Sequence, residues 1–396
     1  MRGFPAPGPG LLPSRSSPSP RPVTGLLVLP GPPPLAYAES LNRFFIHPFT
    51  RAASPMTTPV ESTPAAEPSK GYPAQARRTL SGIKPSGTPH LGNYLGFLRP
   101  ALEMQATHQS FYFIADYHAL TSVRDAPALR ESTLDLAAVF HALGMDFDRH
   151  TFFRQSDVPE VTELAWILSC ITPLGLLHQA HAYKDKTAKG EEINHGLFAY
   201  PVLMAADILI YDSTHVPVGK DQKQHLEITR DIAQRFNFLY GDTLVIPEPT
   251  IAEDVATVPG LDGRKMSKSY GNVIPLFGDP KQTRKTVMKI VTDSKGVEEP
   301  KDPDACNVFA LYKHFARPEE QAHWAGRYKA GGMGYGEIKQ ALFDAMEREL
   351  AAPRERYQAA RQNTPLLEGI LEKGAEKARK VAREVLGRVK QKVGLG

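Results

Sequence analysis

The sequence predicts an α/β protein with a doubly wound parallel sheet, followed by a smaller α-helical domain. Short apolar segments with strand character alternate with amphipathic helical segments over residues 77–290. That alternation is typical of a parallel sheet covered by helices on both faces. Beyond about residue 290 the strand signal disappears and helical periodicity continues, so we assign 291–396 to the helical domain.

The first 76 residues differ in composition from the rest of the chain. They contain 17 of the 35 prolines, and their acidic residues are Glu39, Glu61 and Glu67. Such a segment cannot bury enough apolar surface to offset the entropy of ordering, so residues 1–76 are predicted to be a disordered Pro-rich extension. Three explanations stay open: a start codon annotated upstream of a true start at Met56, a genuine disordered tail, or a transit peptide.

Composition excludes several classes of protein. Apolar residues make up 41% of the chain and charged residues 23%, which excludes a collagen, a disulfide miniprotein and a wholly disordered protein. Cys170 and Cys306 are the two cysteines, so the sequence has no disulfide framework and no CxxC zinc pair. No apolar run approaches the roughly 20 residues of a transmembrane helix. We expect a cytoplasmic protein, or a mitochondrial matrix protein if the extension is a transit peptide.

The individual elements follow from local patterns. Runs rich in β-branched, aromatic and aliphatic residues predict strands at 79–83, 110–115, 151–154 and 215–219. Apolar residues at helical spacing predict helices from about residue 90 and at 125–143, 160–172, 200–212 and 222–238. The same pattern predicts C-terminal helices at 305–316, 336–350 and 367–393.

The crossover after the first predicted strand carries the first chemical signal. The segment Ser81–Tyr94, which reads SGIKPSGTPHLGNY, joins that strand to a helix N-terminus, where unpaired N–H groups attract anions. Gly87 and Gly92 would let the backbone approach a nucleotide, and His90 and Asn93 add short polar side chains. Taken alone, the segment is also compatible with an ordinary Gly/Pro turn.

A second segment, Asp262–Asn272 (DGRKMSKSYGN), reads as a Gly-flanked basic loop that could equally be a solvated surface loop. Together the two segments resemble the HIGH and KMSKS signatures of class I aminoacyl-tRNA synthetases, as His90-Leu91-Gly92-Asn93 and Lys265–Ser269. Their order and their separation of about 175 residues also fit. No GxxxxGK[ST] run is present, which removes the common phosphate-loop alternative.

A third segment narrows the resemblance. Tyr200–Tyr211 has apolar residues at helical spacing with Asp207 on the apolar face, where an unpaired carboxylate is costly. With Val216–His225 after it, this stretch resembles the bacterial type of the tryptophanyl-tRNA synthetase family, and the resemblance extends over 79–396. It implies a Rossmann-like catalytic domain at 77–290 and a helical domain at 291–396 that contacts the tRNA anticodon region.

The resemblance also implies roles for individual residues. For tryptophan, Asp207 would accept the indole N–H and Tyr200 and Gln222 would hold the α-amino group, in a pocket completed by Met204, His118, Val216 and Val218. The implied ATP-binding residues are Lys84, Pro85, Ser86, Gly92, Asn93, Gly219, Lys220, Asp221, Val258, Lys265, Met266, Ser267, Lys268 and Ser269. The implied catalytic residues are His90, Asn93, Lys186, Lys265, Ser267 and Lys268.

Three positions depart from the family pattern. Lys84 stands where the bacterial pattern has Gln, and the added cation is expected to alter ATP affinity. Leu80 replaces an aromatic residue, which is expected to loosen the amino-acid pocket. His90 stands where bacterial relatives often carry Thr.

The implied reaction has two steps and needs no protein nucleophile. The tryptophan carboxylate attacks the α-phosphorus of ATP, with Mg²⁺ bridging the phosphates and no dedicated protein metal site, and tRNA(Trp) then accepts the tryptophanyl group. The family also implies a homodimer, with no membrane or DNA partner. The basic residues of the last predicted helix either contact tRNA phosphates or form a solvated face; they are Lys373, Lys377, Arg379, Lys380, Arg383, Arg388, Lys390 and Lys392.

Three other functions stay open at this level. The chain could activate tyrosine or a modified indole, because tyrosine enzymes share the architecture. A small-molecule nucleotidyltransferase would keep a motif like the first signature but would lack the second one and the helical domain. A synthetase-derived binding protein is disfavoured because both signatures are complete.

Overall fold

The structure is a computed structural model that describes residues 78–188, 190, 193–218, 223–251 and 258–396. The predicted extension at 1–76 lies outside the described residues. The described residues belong to one compact unit. The boundary at residue 290 between a catalytic and a helical domain stays a prediction.

A five-stranded parallel sheet organises the chain and confirms the predicted α/β fold class. The strands are β1 (Arg78–Ile83), β2 (Gln109–Ile114), β3 (Thr151–Arg154), β4 (His215–Val218) and β5 (Glu248–Ile251). Their order in the sheet is β3-β2-β1-β4-β5, and every neighbouring pair is parallel. The chain therefore runs outward from β1 in both directions. In such sheets the crevice beyond the carboxyl ends of the central strands is where ligands bind.

Helices connect the strands and continue to the C-terminus. A first helical segment, α1, covers 91–104 and contains a π-helical stretch, Tyr94–Leu98. The following helices are α2 (Asp116–Ala119), α3 (Ala126–Ala142), α4 (Glu160–Ser169), α5 (Leu174–His178), α6 (His181–Ala188), α7 (His195–Leu209) and α8 (Lys223–Tyr240). The last five are α9 (Pro280–Val287), α10 (Asn307–Tyr312), α11 (Pro318–Ala330), α12 (Tyr335–Arg361) and α13 (Thr364–Val393). No helix in this described part of the chain is long and apolar enough to span a bilayer.

The sheet separates two apolar cores, because successive side chains of a strand point to opposite faces. Phe111 and Phe113 of β2 belong to a core shared with α4, α7 and α8, whereas Tyr112 and Ile114 belong to a core shared with α1, α3 and α12. Residues of α13 contribute to both cores, so this helix stabilises both faces of the sheet region.

The structure corrects several predicted elements. It adds β5, which the sequence does not announce because the strand is short and contains Pro249, a residue that cannot donate to a ladder. It also adds α9 and α11, two helices that are not among those predicted from the sequence. Helix α12 runs on to Arg361 through Pro353, well beyond the predicted end at residue 350.

Helix α13 approaches β3 closely at one glycine. A Cβ atom placed on Gly374 would lie 1.6 Å from the carbonyl oxygen of Phe152, which is a backbone atom that cannot turn aside. Val385 and Val389 of the same helix are fully buried. The helix therefore requires glycine where it crosses the strand.

We predict that Gly374→Ala lowers the free energy of unfolding by about 1–3 kcal/mol, because the methyl group forces α13 away from β3. Urea denaturation followed by circular dichroism measures this change. The matched control is Gly387→Ala on the same helix, where no atom lies within 4 Å of the new Cβ. The control should leave stability unchanged or raise it, since alanine has the higher helix propensity. Equal stability of Gly374→Ala and the unaltered protein would contradict the packing described above.

Candidate active site

A cavity of about 480 Å³ opens beside the carboxyl ends of β1 and β4, where the strand order diverges. Its lining is largely apolar, with a few polar groups, which is typical of a small-molecule site. The residues around it are Leu80, Ser81, Gly82, Lys84, Phe97, Phe113, Ala115, His118, Thr121, Leu197, Tyr200, Met204, Asp207, Ile208, Val216 and Pro217. The structure thus brings together the predicted tryptophan residues His118, Tyr200, Met204 and Asp207, with Val216 of the predicted wall.

Asp207 of α7 is the buried acid of this cavity, with 2% of its surface exposed. Its Oδ2 lies 2.8 Å from Nε2 of His118, and the side-chain amide of Gln155 donates to both carboxylate oxygens at 2.8 and 2.9 Å. Burial raises the pKa of Asp207, whereas the hydrogen bonds from His118 and Gln155 oppose that rise. The carboxylate is therefore held in a fixed orientation, with lone pairs left for a further donor.

Gln155 is absent from the sequence-derived list of site residues. It begins the turn Gln155–Asp157 immediately after β3, at the carboxyl end of a parallel strand. A polar residue at that position is a recognisable signal, because strand ends of this kind meet at the ligand crevice. The side-chain oxygen of Gln155 also accepts the backbone N–H of Tyr117 at 3.1 Å, which locks the amide orientation.

Aromatic rings still wall the cavity although Leu80 is aliphatic. Phe113 of β2 and Phe97 of α1 both line it. Phe113 reaches over β1 because Gly82 leaves room: a Cβ at Gly82 would lie 2.5 Å from the ring. The loss of an aromatic side chain at position 80 is thus accompanied by rings from two other elements.

Tyr200 and Met204 occupy successive turns of α7 on the cavity side. The Tyr200 hydroxyl is hydrogen-bonded to Nε2 of His225, and burial raises the pKa of Tyr200 to about 12, so the hydroxyl is protonated at neutral pH. The ring of Tyr200 meets that of His118 edge-on at 6.2 Å. The phenol therefore stands between the buried acid and α8.

Lys84 extends from the end of β1 to the cavity margin. Its ammonium donates to the hydroxyls of Thr121 and Ser122, each at 3.1 Å. Burial lowers the pKa of Lys84, and the cation of Lys186 lowers it further. Lys84, directly after β1, and Lys186 of α6 are both predicted to contact phosphate. Their positive charges repel each other, which favours the binding of an anion between them.

The two signature segments touch directly. The backbone N–H of Gly92 donates to Sδ of Met266 at 3.2 Å, and Nζ of Lys268 donates to the carbonyl of Ser86 at 2.8 Å. The N–H of Leu91 also bonds to the carbonyl of Ile274 at 2.8 Å. Residues 174 or more positions apart in the sequence therefore form one surface.

Asn272 fixes the conformation of the second signature, although the sequence suggested no role for it. Its side-chain oxygen accepts the N–H of Ser267 at 2.8 Å, and its amide donates to Asp262 at 2.6 Å and to the Lys265 carbonyl at 3.2 Å. Ser267 and Ser269 share a hydroxyl contact at 2.8 Å, and the Lys265 side chain is exposed. The loop thus presents cations outward from a hydrogen-bonded base.

His90 is 8% exposed, and its Nδ1 has no hydrogen-bond partner among the described residues. Burial lowers the pKa of His90 to about 4, and the nearby Lys268 cation contributes in the same direction. The backbone N–H of His90 donates to Oδ1 of Asn93 at 3.1 Å, so the asparagine oxygen is engaged at the helix start. The imidazole is therefore neutral at physiological pH.

Some predicted residues fall beyond this description. Gly219, Lys220, Asp221 and Gln222 lie outside the described residues, and of Val218 only the strand backbone is described. Val258 is buried and its carbonyl accepts the Met266 N–H at 2.9 Å. Pro85 is buried directly beside Ser86 in the first signature segment.

Known proteins resemble this chain over most of its length. Residues 74–351 match the family described as class I tRNA synthetases (W and Y). The tryptophan–tRNA ligase of Bordetella parapertussis is 52% identical over 331 residues, covering 81% of this chain and 73% of that protein. The corresponding ligase of Rhodopirellula baltica is 49% identical over 318 residues, covering 80% of this chain and 99% of that protein.

A solved structure gives the same result. The tryptophanyl-tRNA synthetase of Campylobacter jejuni, complexed with ADP and tryptophan, superposes with a TM-score of 0.76 at 47% identity, covering 80% of this chain and 100% of that one. The fold and the two joined signatures thus define a class I aminoacyl-tRNA synthetase. Within that class, the chain belongs to the bacterial-type tryptophanyl-tRNA synthetase family.

The lowered pKa of His90 predicts a pH dependence of stability. In the unfolded chain the imidazole takes up a proton near pH 6.5, whereas in the folded protein it stays neutral down to about 4. The free energy of unfolding should therefore be fully retained above pH 6.5 and should fall as the pH drops from 6.5 toward 4. One proton sets a ceiling of about 1.4 kcal/mol per pH unit for this contribution.

Urea denaturation between pH 7 and 4.5 measures this slope. The variant His90→Gln removes the titrating group and should show a shallower decline than the unaltered protein. His323→Gln, which removes an exposed imidazole on α11, serves as the control. Identical slopes for His90→Gln and the unaltered protein would rule out the neutral, buried state of His90.

Proposed function

We propose that the protein is a tryptophan–tRNA ligase that activates L-tryptophan with ATP and transfers the tryptophanyl group to tRNA(Trp). The observation that carries the proposal is the cavity in which His118 and Gln155 orient the buried carboxylate of Asp207, beside the joined signature segments. Family membership supports the same reaction, since the similar ligases carry this name.

Asp207 supplies selectivity for the indole. Its carboxylate accepts hydrogen bonds from two side chains and retains acceptor capacity for an indole N–H. Phenylalanine offers no donor there and would leave the buried acid incompletely satisfied. A site built around a substrate donor can reject the analogue lacking it by roughly 10⁴–10⁵-fold, so no editing step is required.

The tryptophan carboxylate attacks the α-phosphorus of ATP, and pyrophosphate departs. No nucleophilic side chain is needed, because the residues act by positioning the reactants and by stabilising charge. Lys84 and Lys186, which lie close enough to affect each other's charge, and Lys268, which reaches the first signature segment, would act on the phosphates together with Lys265. Neutral His90, at the helix start, acts as a hydrogen-bonding group and not as a cation.

We propose that Mg²⁺ enters with the nucleotide. Lys84 at the cavity margin and Lys268 on the second signature would face the triphosphate as cations and not as metal ligands. This donor set fits an ion carried by the triphosphate, where it neutralises phosphate charge. The aminoacyl-adenylate then reacts with a ribose hydroxyl at the 3′ end of tRNA.

We propose further that the enzyme is a cytoplasmic homodimer. The similar ligases come from bacteria, which gives a mitochondrial location no support. Helix α4 presents Trp166 with 71% of its surface exposed, and Leu174 at the start of α5 is 66% exposed. These exposed apolar side chains are candidate contacts of that interface, and a second copy of the chain is the simplest occupant.

Tryptophan-dependent exchange of pyrophosphate into ATP tests the proposed function. We expect exchange with tryptophan and almost none with tyrosine or phenylalanine, and we expect aminoacylation of tRNA(Trp). In Asp207→Ala the KM for tryptophan should rise about 10–100-fold, because a hydrogen bond to a charged acceptor is lost, while the KM for ATP changes little.

The matched control is Asp242→Ala, which removes an exposed carboxylate that does not line the cavity. It should leave both constants unchanged. Preference for tyrosine would overturn the substrate assignment. Equal losses for tryptophan and ATP in Asp207→Ala would overturn the assigned role of the acid.

Lys268 is predicted to act on the phosphates and not on the amino acid. In Lys268→Ala the rate of adenylate formation should fall about 10²–10³-fold, as expected for loss of one preorganised charge-stabilising donor. Tryptophan affinity, measured by calorimetry, should change less than threefold. Single-turnover kinetics measure the rate, and Lys329→Ala removes an exposed lysine of α11 as the control. Unchanged single-turnover kinetics in Lys268→Ala would contradict the role.

A further inference from the structure

The basic residues of α13 are largely engaged within the protein. Arg379 and Arg383 both bond to Glu160 of α4, at 3.0 and 2.9 Å. Arg388 pairs with Asp212 at 2.7 Å and Lys390 with Glu163 at 2.7 Å. Lys377 donates to two backbone carbonyls of residues 147 and 148. These five cations hold α13 against the rest of the protein. Most of the basic residues of α13 are therefore not available to a partner.

Helix α9 and the turn after it have the opposite property. Thr283, Val287 and Ile290 are buried on one side of this segment. Lys281, Arg284, Lys285 and Lys289 are exposed. At 100° per residue these four positions span one continuous face opposite the buried one. The segment therefore presents a stripe of cations to solvent, which we call the α9 face.

The α9 face keeps its charge. Within the described chain, Lys281, Lys285 and Lys289 form no ion pair, and Arg284 bonds only to the neutral amide oxygen of Gln340 at 2.7 Å. The helix has no acidic residue in its first turn. Asp279 precedes it and is used as the N-cap, accepting the Gln282 N–H at 2.9 Å.

The neighbouring helical region does not share this property. The arginines from α11 to the end of α12 each contact a carboxylate or a backbone carbonyl; they are Arg317, Arg327, Arg348, Arg354, Arg356 and Arg361. Among the described residues, the lysines of the α9 face lie within nine positions, whereas the exposed lysines of α13 without an ion pair are spread over positions 373, 380 and 392.

The place of α9 in the chain links it to the site. It follows the second signature by about ten residues, and Val287 and Ile290 belong to the same apolar core as Met266 and Ile274. On its other side, Lys339 of α12 donates to the Met288 carbonyl at 3.1 Å. The α9 face is thus built on the same packed unit as the signature loop.

We propose that the α9 face binds the phosphate backbone of tRNA, and that α13 does not. The proposal rests on the proposed ligase function, which supplies a polyanionic substrate. Lysines act as point charges for phosphate, and each phosphate neutralised releases counterions, so the contact is strongly salt-dependent and independent of sequence. Charge complementarity favours a polyanion such as tRNA as the partner, because the α9 face carries four cations and no acidic residue.

The test compares two triple variants of equal charge. The first is Lys281→Gln, Lys285→Gln and Lys289→Gln on the α9 face. The second is Lys373→Gln, Lys380→Gln and Lys392→Gln, which removes the exposed lysines of α13 that have no ion pair in the described structure. A tRNA transcript with the tryptophan anticodon is the probe, in filter binding between 50 and 200 mM salt and in aminoacylation, with tRNA-free pyrophosphate exchange as the control for folding and catalysis.

We expect the α9 variant to bind tRNA at least tenfold more weakly at low salt and to lose about 2–3 from the slope of log K against log salt. Its KM for tRNA should rise in parallel, while exchange stays unchanged. The α13 variant should change tRNA binding less than threefold. Equal losses in the two variants, or a larger loss in α13, would overturn the proposal.

Failure of the inference and failure of the function are separable. If the unaltered protein exchanges pyrophosphate with tryptophan but the α9 variant binds tRNA normally, the ligase function stands and the α9 assignment is wrong. If tryptophan-dependent exchange is absent, the function is wrong, and the filter-binding comparison still decides whether the α9 face binds RNA.

Discussion

The site depends on one buried carboxylate. Burying the Asp207 carboxylate in the apolar interior without hydrogen-bond partners would destabilise the fold. The hydrogen bonds with His118 and Gln155 offset this desolvation and fix the direction of the remaining lone pairs. These partners come from the ends of β2 and β3, and Asp207 from a helix that precedes β4. The parallel sheet is what brings three distant segments to one point, so the fold and the selectivity of the pocket have a common origin.

A second constraint joins the nucleotide side of the site. The two signature segments are held by contacts between main chain and side chain, among them Gly92 to Met266 and Lys268 to Ser86. Such contacts are short and directional, yet few, which suits a loop that must adjust around a nucleotide. Asn272 holds the base of the loop through its hydrogen bonds, and the side chains of Lys265 and Lys268 are exposed.

Much of this arrangement can be predicted from sequence, and the exceptions have physical reasons. The strand that precedes the first signature and the residues around Asp207 follow from pattern and resemblance. Gln155 follows a predicted strand directly, but its hydrogen bonds to Asp207 become evident only when β3 is placed next to β2. The short strand β5 is not predicted because it contains Pro249, which is uncommon inside strands. The number of basic residues in the sequence also does not reveal that Arg379 and Arg383 both bind Glu160. Charge availability is a property of tertiary contacts, which a linear sequence does not display.

The seating of α13 on β3 bears on how the chain folds during synthesis. The strand at residues 151–154 is synthesised long before the helix at 364–393 that packs on it. Glu160 likewise has no ion-pair partner from that helix until Arg379 and Arg383 have been synthesised. Contacts so distant in sequence form late and slow the search for the native state. The nascent chain therefore leaves the ribosome tunnel with the apolar surface around β3 still uncovered. The yield of folded protein then depends on early contact with chaperones and on an intact C-terminal helix.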